Sequence, residues 1–138
     1  MVTKYYLDTC IWIDYFENRV DNFRPLGDWA LDLLKKIIKD NDLIIYSDLA
    51  EEELLSFYNK NKIEDLMFFV PKKLLIKINS DKLQLKEAIT TGRKLKIPVK
   101  DVLHAILSRD NNAIFVSRDK HFYELANQLT IKKPEELI

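Results

Sequence analysis

Lys4-Tyr5-Tyr6-Leu7-Asp8-Thr9-Cys10-Ile11-Trp12-Ile13 is the stretch on which the fold turns. An apolar, aromatic lead from Val2 to Leu7 reads as a buried strand. It stops at a carboxylate. From Cys10 onward, Ile11 with Tyr15 and Trp12 with Phe16 stand four apart, so the chain turns directly into a helix. Asp8 is thereby placed at the carboxyl end of a strand and the mouth of the next helix. In open α/β sheets that is where ligands bind.

The same alternation repeats outward. Leu26 to Lys39 is amphipathic, with Leu26, Trp29, Ala30, Leu33, Leu34, Ile37 and Ile38 on one stripe. Asp40-Asn41-Asp42 breaks it, and Leu43–Ser47 has the length and composition of a buried parallel strand. Asp48 opens a helix expected from Leu49 to about Lys60, with Asp48 and Glu51 at capping-box spacing. A helical segment from Ile63 to Val70, a strand at Leu74–Ile78 and a helix begun by Ser80 and running to about Leu95 come next. Asp101 is expected to open a helix ending at Arg109. Ala113–Ser117 is the clearest internal strand, followed by a short helix to about Asn127. Leu129–Ile131 reads as an edge strand, and Pro134 with Glu135 and Glu136 as a terminal helical turn. Strands alternating with helices predict a single α/β domain over residues 1–138, a central, mostly parallel sheet of four or five strands between helical layers.

The bulk numbers exclude several classes. At 138 residues with 47% hydrophobic content, the chain can bury a core and is not disordered. Its longest apolar run is far below the roughly 18 residues of a membrane span. The first strand begins at once and carries Lys4 and Asp8, so no signal peptide is expected. One cysteine forms no internal disulfide, which suits a cytoplasmic location. The 22 basic residues balance the 22 acidic ones, so nucleic acid would not be held by net charge alone. The two glycines, Gly27 and Gly92, lie outside strand-to-helix turns, which excludes a P-loop and a dinucleotide fingerprint. A phosphorylated-aspartate phosphatase needs a second Asp two residues after the first, where Cys10 stands.

Four carboxylates have a claim to one crevice: Asp8 and Asp119, each after a strand; Asp101, on the helix preceding the second of those strands; and one of Glu51 to Glu53. Two carboxylates about 4 Å apart repel by roughly 4 kcal/mol at an effective dielectric of 20, so a converging set requires a cation. An all-oxygen set without His or Cys suits Mg²⁺ or Mn²⁺ rather than zinc. Such ions support phosphodiester hydrolysis by activated water, with no nucleophilic side chain. Each acid also has an ordinary use. Asp8 and Asp101 suit helix caps, Asp119 a turn, and Glu52 and Glu53 a solvated face.

The segments around these acids resemble the PIN-domain family, and most of all its small VapC-type toxins. The matching pieces are Leu7–Ile13, Ser47–Leu54, Val99–Ala105 and Ile114–Phe122, in the family's order along nearly the whole chain. The resemblance implies a PIN-like α/β/α sandwich and a metal-dependent endoribonuclease. It makes Asp8, Glu53, Asp101 and Asp119 the acidic quartet, using Mg²⁺ with Mn²⁺ as substitute, and Thr9 and Ser117 supporting hydroxyls. It also implies an RNA substrate, a homodimer and a cognate antitoxin. The family's acid precedes a leucine, which selects Glu53 before Leu54, with Glu52 the alternative one position away. Arg118, beside the site in sequence, is the candidate for an RNA phosphate contact, ahead of Lys72, Lys73, Arg93, Lys94 and Lys96. His104 and His121 are read as structural, Trp12, Trp29 and Phe115 as core, and Cys10 as a small buried hydrophobe. A housekeeping PIN nuclease for RNA maturation and an inactive PIN-like RNA-binding scaffold are the competing functions.

Overall fold

A computed structural model of the chain describes residues 1–125 and 128–138. Strand β1 (Lys4–Leu7) leads into α1 (Thr9–Glu17) and α2 (Leu26–Lys39), then β2 (Leu43–Ser47), α3 (Asp48–Leu55) and α4 (Lys60–Met67). A 3₁₀ turn at Lys72–Leu74 precedes β3 (Leu75–Ile78), α5 (Lys82–Leu95), α6 (Val99–Asp110) and β4 (Ile114–Val116). A 3₁₀ segment (Lys120–Leu125), β5 (Ile131–Lys132) and a last 3₁₀ turn (Pro134–Glu136) complete the order. The five strands are all parallel, in the order β3-β2-β1-β4-β5. Successive strands run outward from β1 to β3, and the chain then returns to build β4 on the other side of β1. The reversal creates a crevice between the carboxyl ends of β1 and β4.

Alternation along the strands supplies two apolar faces. Tyr5, Leu7, Ile44, Tyr46 and Val116 pack with Ile11 and Trp12 of α1 and Leu33, Leu34 and Ile37 of α2. Tyr6, Ile45 and Phe115 face the other way, against Ala88 of α5 and Val102, Ile106 and Leu107 of α6. The result is the expected helix–sheet–helix sandwich. Gly27 lets α2 start against the end of α1: a Cβ there would sit 2.4 Å from the Asn18 Cα. Among the described residues, no helix is long and apolar enough to cross a membrane.

Several boundaries differ from expectation, each for a local reason. The helix expected from Leu49 to about Lys60 ends at Leu55, and α4 begins anew with Asn59 as its cap. Ser47, not Asp48, caps α3, its hydroxyl accepting the Ala50 N–H at 3.0 Å. Asp48 instead binds the N–H and hydroxyl of Ser80, both at 3.0 Å, and Glu51 pairs with Lys77, so their capping-box spacing goes unused. Asp81 rather than Ser80 caps α5, in a capping box with Gln84. Helix α6 starts at Val99 after Pro98, making Asp101 its third residue rather than its cap. The segment after Asp119 is 3₁₀ where described; its expected end at Asn127 lies outside the described residues.

Candidate metal centre

Asp8 begins α1 without capping it. Its backbone carbonyl accepts the Ile11 N–H at 2.9 Å, while its side chain makes no cap hydrogen bond. The carboxylate is left for the crevice. Its Oδ2 accepts the Ser117 hydroxyl at 2.8 Å and the Cys10 thiol at 3.2 Å. Cys10 is thus partly buried beside the site rather than a plain core residue. Burial, with the Asp8 charge, pushes its thiol well up and keeps it protonated.

Ser117 links the two strand ends. Its oxygen also accepts the Asp119 N–H at 3.1 Å, so one hydroxyl spans Asp8 and the turn carrying Asp119. Asp119 reaches forward to accept the His121 N–H at 2.9 Å. The His121 Nδ1 lies 3.3 Å from Asp101 Oδ2 and 3.4 Å from Asp119 Oδ1. Ligand atoms of Asp101, Asp119 and His121 all lie within 4.8 Å of one another. Burial raises the Asp101 pKa. The His121 hydrogen bond opposes this, while the Asp119 and Asp8 charges push the same way as burial. Crowded carboxylates with accessible oxygens are the donor set a hard divalent ion takes, and such an ion would relieve their repulsion.

The fourth acid comes from α3. Glu53 Oε1 accepts the Thr9 hydroxyl at 2.9 Å and is hydrogen-bonded to His104 Nε2. Burial works to raise its pKa. The His104 hydrogen bond, the Thr9 hydroxyl and the Lys100 charge all work against burial, and the pKa is left lowered. Glu52 is exposed one residue away, where successive helical side chains diverge by about 100°. It lines a separate groove of about 360 Å³ with Asp48, Asp81 and Lys100. Hydrogen bonds thus join Asp8, Ser117, Asp119, His121 and Asp101 in one line, and Thr9, Glu53 and His104 in a second that starts from the residue next to Asp8.

Arg118 does not join that neighbourhood. The turn after β4 swings its guanidinium the other way, 3.6 Å from Asp14 of α1 and 2.8 Å from Glu135 near the C-terminus. The group also lies 5.5 Å from the ring centroid of the half-buried Trp29. Its charge is spent on Asp14 and Glu135 rather than turned to the crevice. Asp14, only 4% exposed, is a residue that sequence reading passed over. Its signal was an acid set among Ile11, Trp12 and Tyr15 on an otherwise buried stripe. His104 was read as structural; it is buried, but it also contacts a site acid. Its position three residues after Asp101 on the same helix was the available clue.

A larger groove, about 940 Å³, lies elsewhere, lined by Tyr46, Leu55, Ile63, Met67, Phe68 and Leu75. Glu51, Lys60, Glu64, Asp65, Lys72 and Lys77 also line it, whereas Asp8, Glu53, Asp101 and Asp119 do not.

Comparison with known proteins gives the fold independent support. The chain resembles VapBC2 from Rickettsia felis, solved bound to a DNA fragment from its promoter, at 22% identity and TM-score 0.67, covering 95% of this chain and 98% of that one. It resembles a toxin–antitoxin complex from Klebsiella pneumoniae at 16% identity and TM-score 0.64, with 94% and 97% covered. A third likeness is VapBC-1 from nontypeable Haemophilus influenzae, at 16% identity and TM-score 0.65, with 96% and 99% covered. At these identities the likeness is one of fold. No curated protein matches the chain. The PIN domain, by contrast, matches over residues 5–128, nearly the whole molecule. With that match, an all-parallel sheet reversing beside Asp8 and the acids gathered there, the chain belongs to the PIN-domain family, a family of nucleases.

Proposed function

We propose that this protein is a metal-dependent endoribonuclease, the toxin of a VapBC-type toxin–antitoxin pair, with Asp8, Glu53, Asp101 and Asp119 as its acidic quartet. What supports this reading is the hydrogen-bond line from Asp8 through Ser117, Asp119 and His121 to Asp101 at the β1–β4 crevice, with Thr9, next to Asp8, donating to Glu53. Mg²⁺ is the proposed cofactor, with Mn²⁺ able to replace it, because the donors are mainly hard oxygens. When bound, the cation supplies Lewis-acid stabilisation of the charge that develops on the phosphodiester and favours ionisation of water.

The chain's own residues supply position. Asp8, Asp101 and Asp119 would hold the cation. Ser117 keeps Asp8 and the Asp119 turn in register, and Thr9 with His104 orients Glu53 from the opposite wall. The Thr9 and Ser117 hydroxyls and the Cys10 thiol are each engaged in donating to a carboxylate, so water is the attacking group and single-step hydrolysis the chemistry. RNA phosphates are then met by lysines around the rim, such as Lys100, rather than by Arg118.

The antitoxin follows from the likeness to VapBC complexes together with a physical point. An acidic crevice in a protein of zero net charge attracts a basic segment, which would compete with the cation. A homodimer and a cytoplasmic location belong to the same proposal. Purified protein is expected to cleave structured RNA only with Mg²⁺ or Mn²⁺ present, and Asp8→Asn to abolish that cleavage. Cleavage that persists in chelator, or in the variant, would refute the nuclease reading. Purification from the native operon should recover a small protein with a basic segment; active protein free of any partner there would remove the toxin reading and leave a housekeeping nuclease.

A further inference from the structure

Behind Glu53 runs a line of buried polar groups that the proposed chemistry does not by itself require. The Ala50 N–H donates to Ser47 Oγ at 3.0 Å, inside the first turn of α3. Ser47 Oγ lies 2.7 Å from the Tyr6 hydroxyl, which lies 2.6 Å from His104 Nδ1. The other nitrogen of His104 meets Glu53. Ser47 and Tyr6 are wholly buried and His104 is 1% exposed. Burial also pushes the Tyr6 phenol far up, so it keeps its proton.

Proton counting allows one order. A backbone N–H can only donate, so Ser47 accepts from Ala50. The Ser47 proton then goes to Tyr6, the Tyr6 proton to Nδ1, and the Nε2 proton to Glu53. Every donor and acceptor in the line is used once. Reversal has Nδ1–H donating to Tyr6 and Tyr6 donating to Ser47. Ser47 would then accept twice, stranding its own proton in the core, since Ala50 and Tyr6 are its partners among the described residues. A neutral ring in that order would also turn a bare Nε2 lone pair toward a carboxylate oxygen.

We infer that Ser47, Tyr6 and His104 form a one-way hydrogen-bond relay in which His104 Nδ1 accepts from Tyr6 and Nε2–H is aimed at Glu53. Tyr6 and His104 are then positioning residues: they touch neither cation nor substrate and act through Glu53. The strand supplying Tyr6 also supplies Asp8 at its end, so β1 sets two site acids at once. Tertiary contact between an outer-shell donor and a ligating carboxylate commonly governs metal affinity by 10- to 100-fold.

This inference takes Glu53 as a site carboxylate from the proposed function, and its test separates the two. Long-range ¹H–¹⁵N spectra of the metal-free protein at neutral pH report each imidazole nitrogen of His104. The expected result is a protonated Nε2 and a bare Nδ1. Tyr6→Phe keeps the ring that packs edge-on against Phe115 and His104, so the fold should survive. It should redistribute the His104 proton and weaken Mn²⁺ uptake, measured calorimetrically, by about 10-fold. Thr9→Val removes the other Glu53 donor and should leave the tautomer untouched. Protonation of Nδ1 in the wild type would overturn the relay. So would a Tyr6→Phe protein with unchanged nitrogen signals, or with unchanged Mn²⁺ affinity. If the wild type binds no Mn²⁺ at all, the proposed function falls while the nitrogen spectra still decide the relay.

Discussion

The two walls of the crevice hold their acids in opposite ways. On one, Glu53 receives donors from Thr9 and His104, backed by a buried polar line, and its pKa is lowered. On the other, Asp101 has the exposed ring of His121 as its partner and feels the charges of Asp119 and Asp8, and its pKa is raised. One wall is complete as folded protein. The other is under electrostatic strain that a cation relieves. Metal should therefore dock against the Asp8–Asp101–Asp119 wall, with Glu53 serving as a preset oxygen opposite.

The sharpest way to break this contrast is to remove the crowded acids. Asp8→Asn and Asp119→Asn are each expected to lower Mg²⁺-dependent cleavage of a structured RNA by on the order of 100-fold or more, because each removes charge the transition-state cation needs. Cleavage assays over a metal titration check this; recovery at high Mg²⁺ would mean that these acids only assist binding.

Glu53→Gln tests the other wall. Activity should fall by roughly 10-fold or more, whereas Glu52→Gln should change it by less than about 3-fold, since Glu52 is solvated outside the site. Equal effects of the two substitutions would erase the distinction drawn between them.

Stability should split by sign. A lowered folded-state pKa means that Glu53 adds stability above its unfolded value, and that this is lost as pH falls through the folded pKa. Asp101 is the reverse: its contribution is full below the unfolded pKa and is lost as pH rises through the raised one. At pH 7 Asp101→Asn should thus raise the Tm of the metal-free protein by about 1–4 °C while abolishing the Tm gain on adding Mn²⁺. Thermal melts at pH 7 with and without metal decide it, and a lowered metal-free Tm would show that this wall is not strained.

The smallest effect on the site concerns Arg118. Its guanidinium binds Asp14 and Glu135 away from the crevice, so Arg118→Gln should lower the Tm yet change RNA affinity by less than about 2-fold. The slope of RNA binding against salt should also stay the same, and a shallower slope would return this residue to the phosphates.

Much of this architecture was legible in one dimension. The apolar runs at β1, β2 and β4, the stripe of α2 and the breaks at Asp40–Asp42 and Pro98 follow from periodicity and backbone chemistry, which are local. The boundary errors around Ser47, Asp48 and Ser80 also have a local look but a distant cause. Asp48 abandons its capping spacing because Ser80, 32 residues away, offers two donors. Competition between near and far partners leaves no trace in spacing.

By itself, then, the sequence determined an alternating α/β chain with carboxylates just past its buried strands, since strand and helix periods and turn residues act over a few positions. The family resemblance read from it also put Glu53, which precedes Leu54, ahead of Glu52. Only the tertiary structure decided that Arg118 turns away, that Asp14 is buried to meet it, and that His104 joins Tyr6 to Glu53. Those outcomes depend on where a long side chain finds its counter-charge or its hydrogen-bond partner, and the partners lie 51 residues from Glu53 to His104 and 98 from Tyr6 to His104. Packing brings them together, and the cost of an unpaired polar group in a closed core then leaves one arrangement.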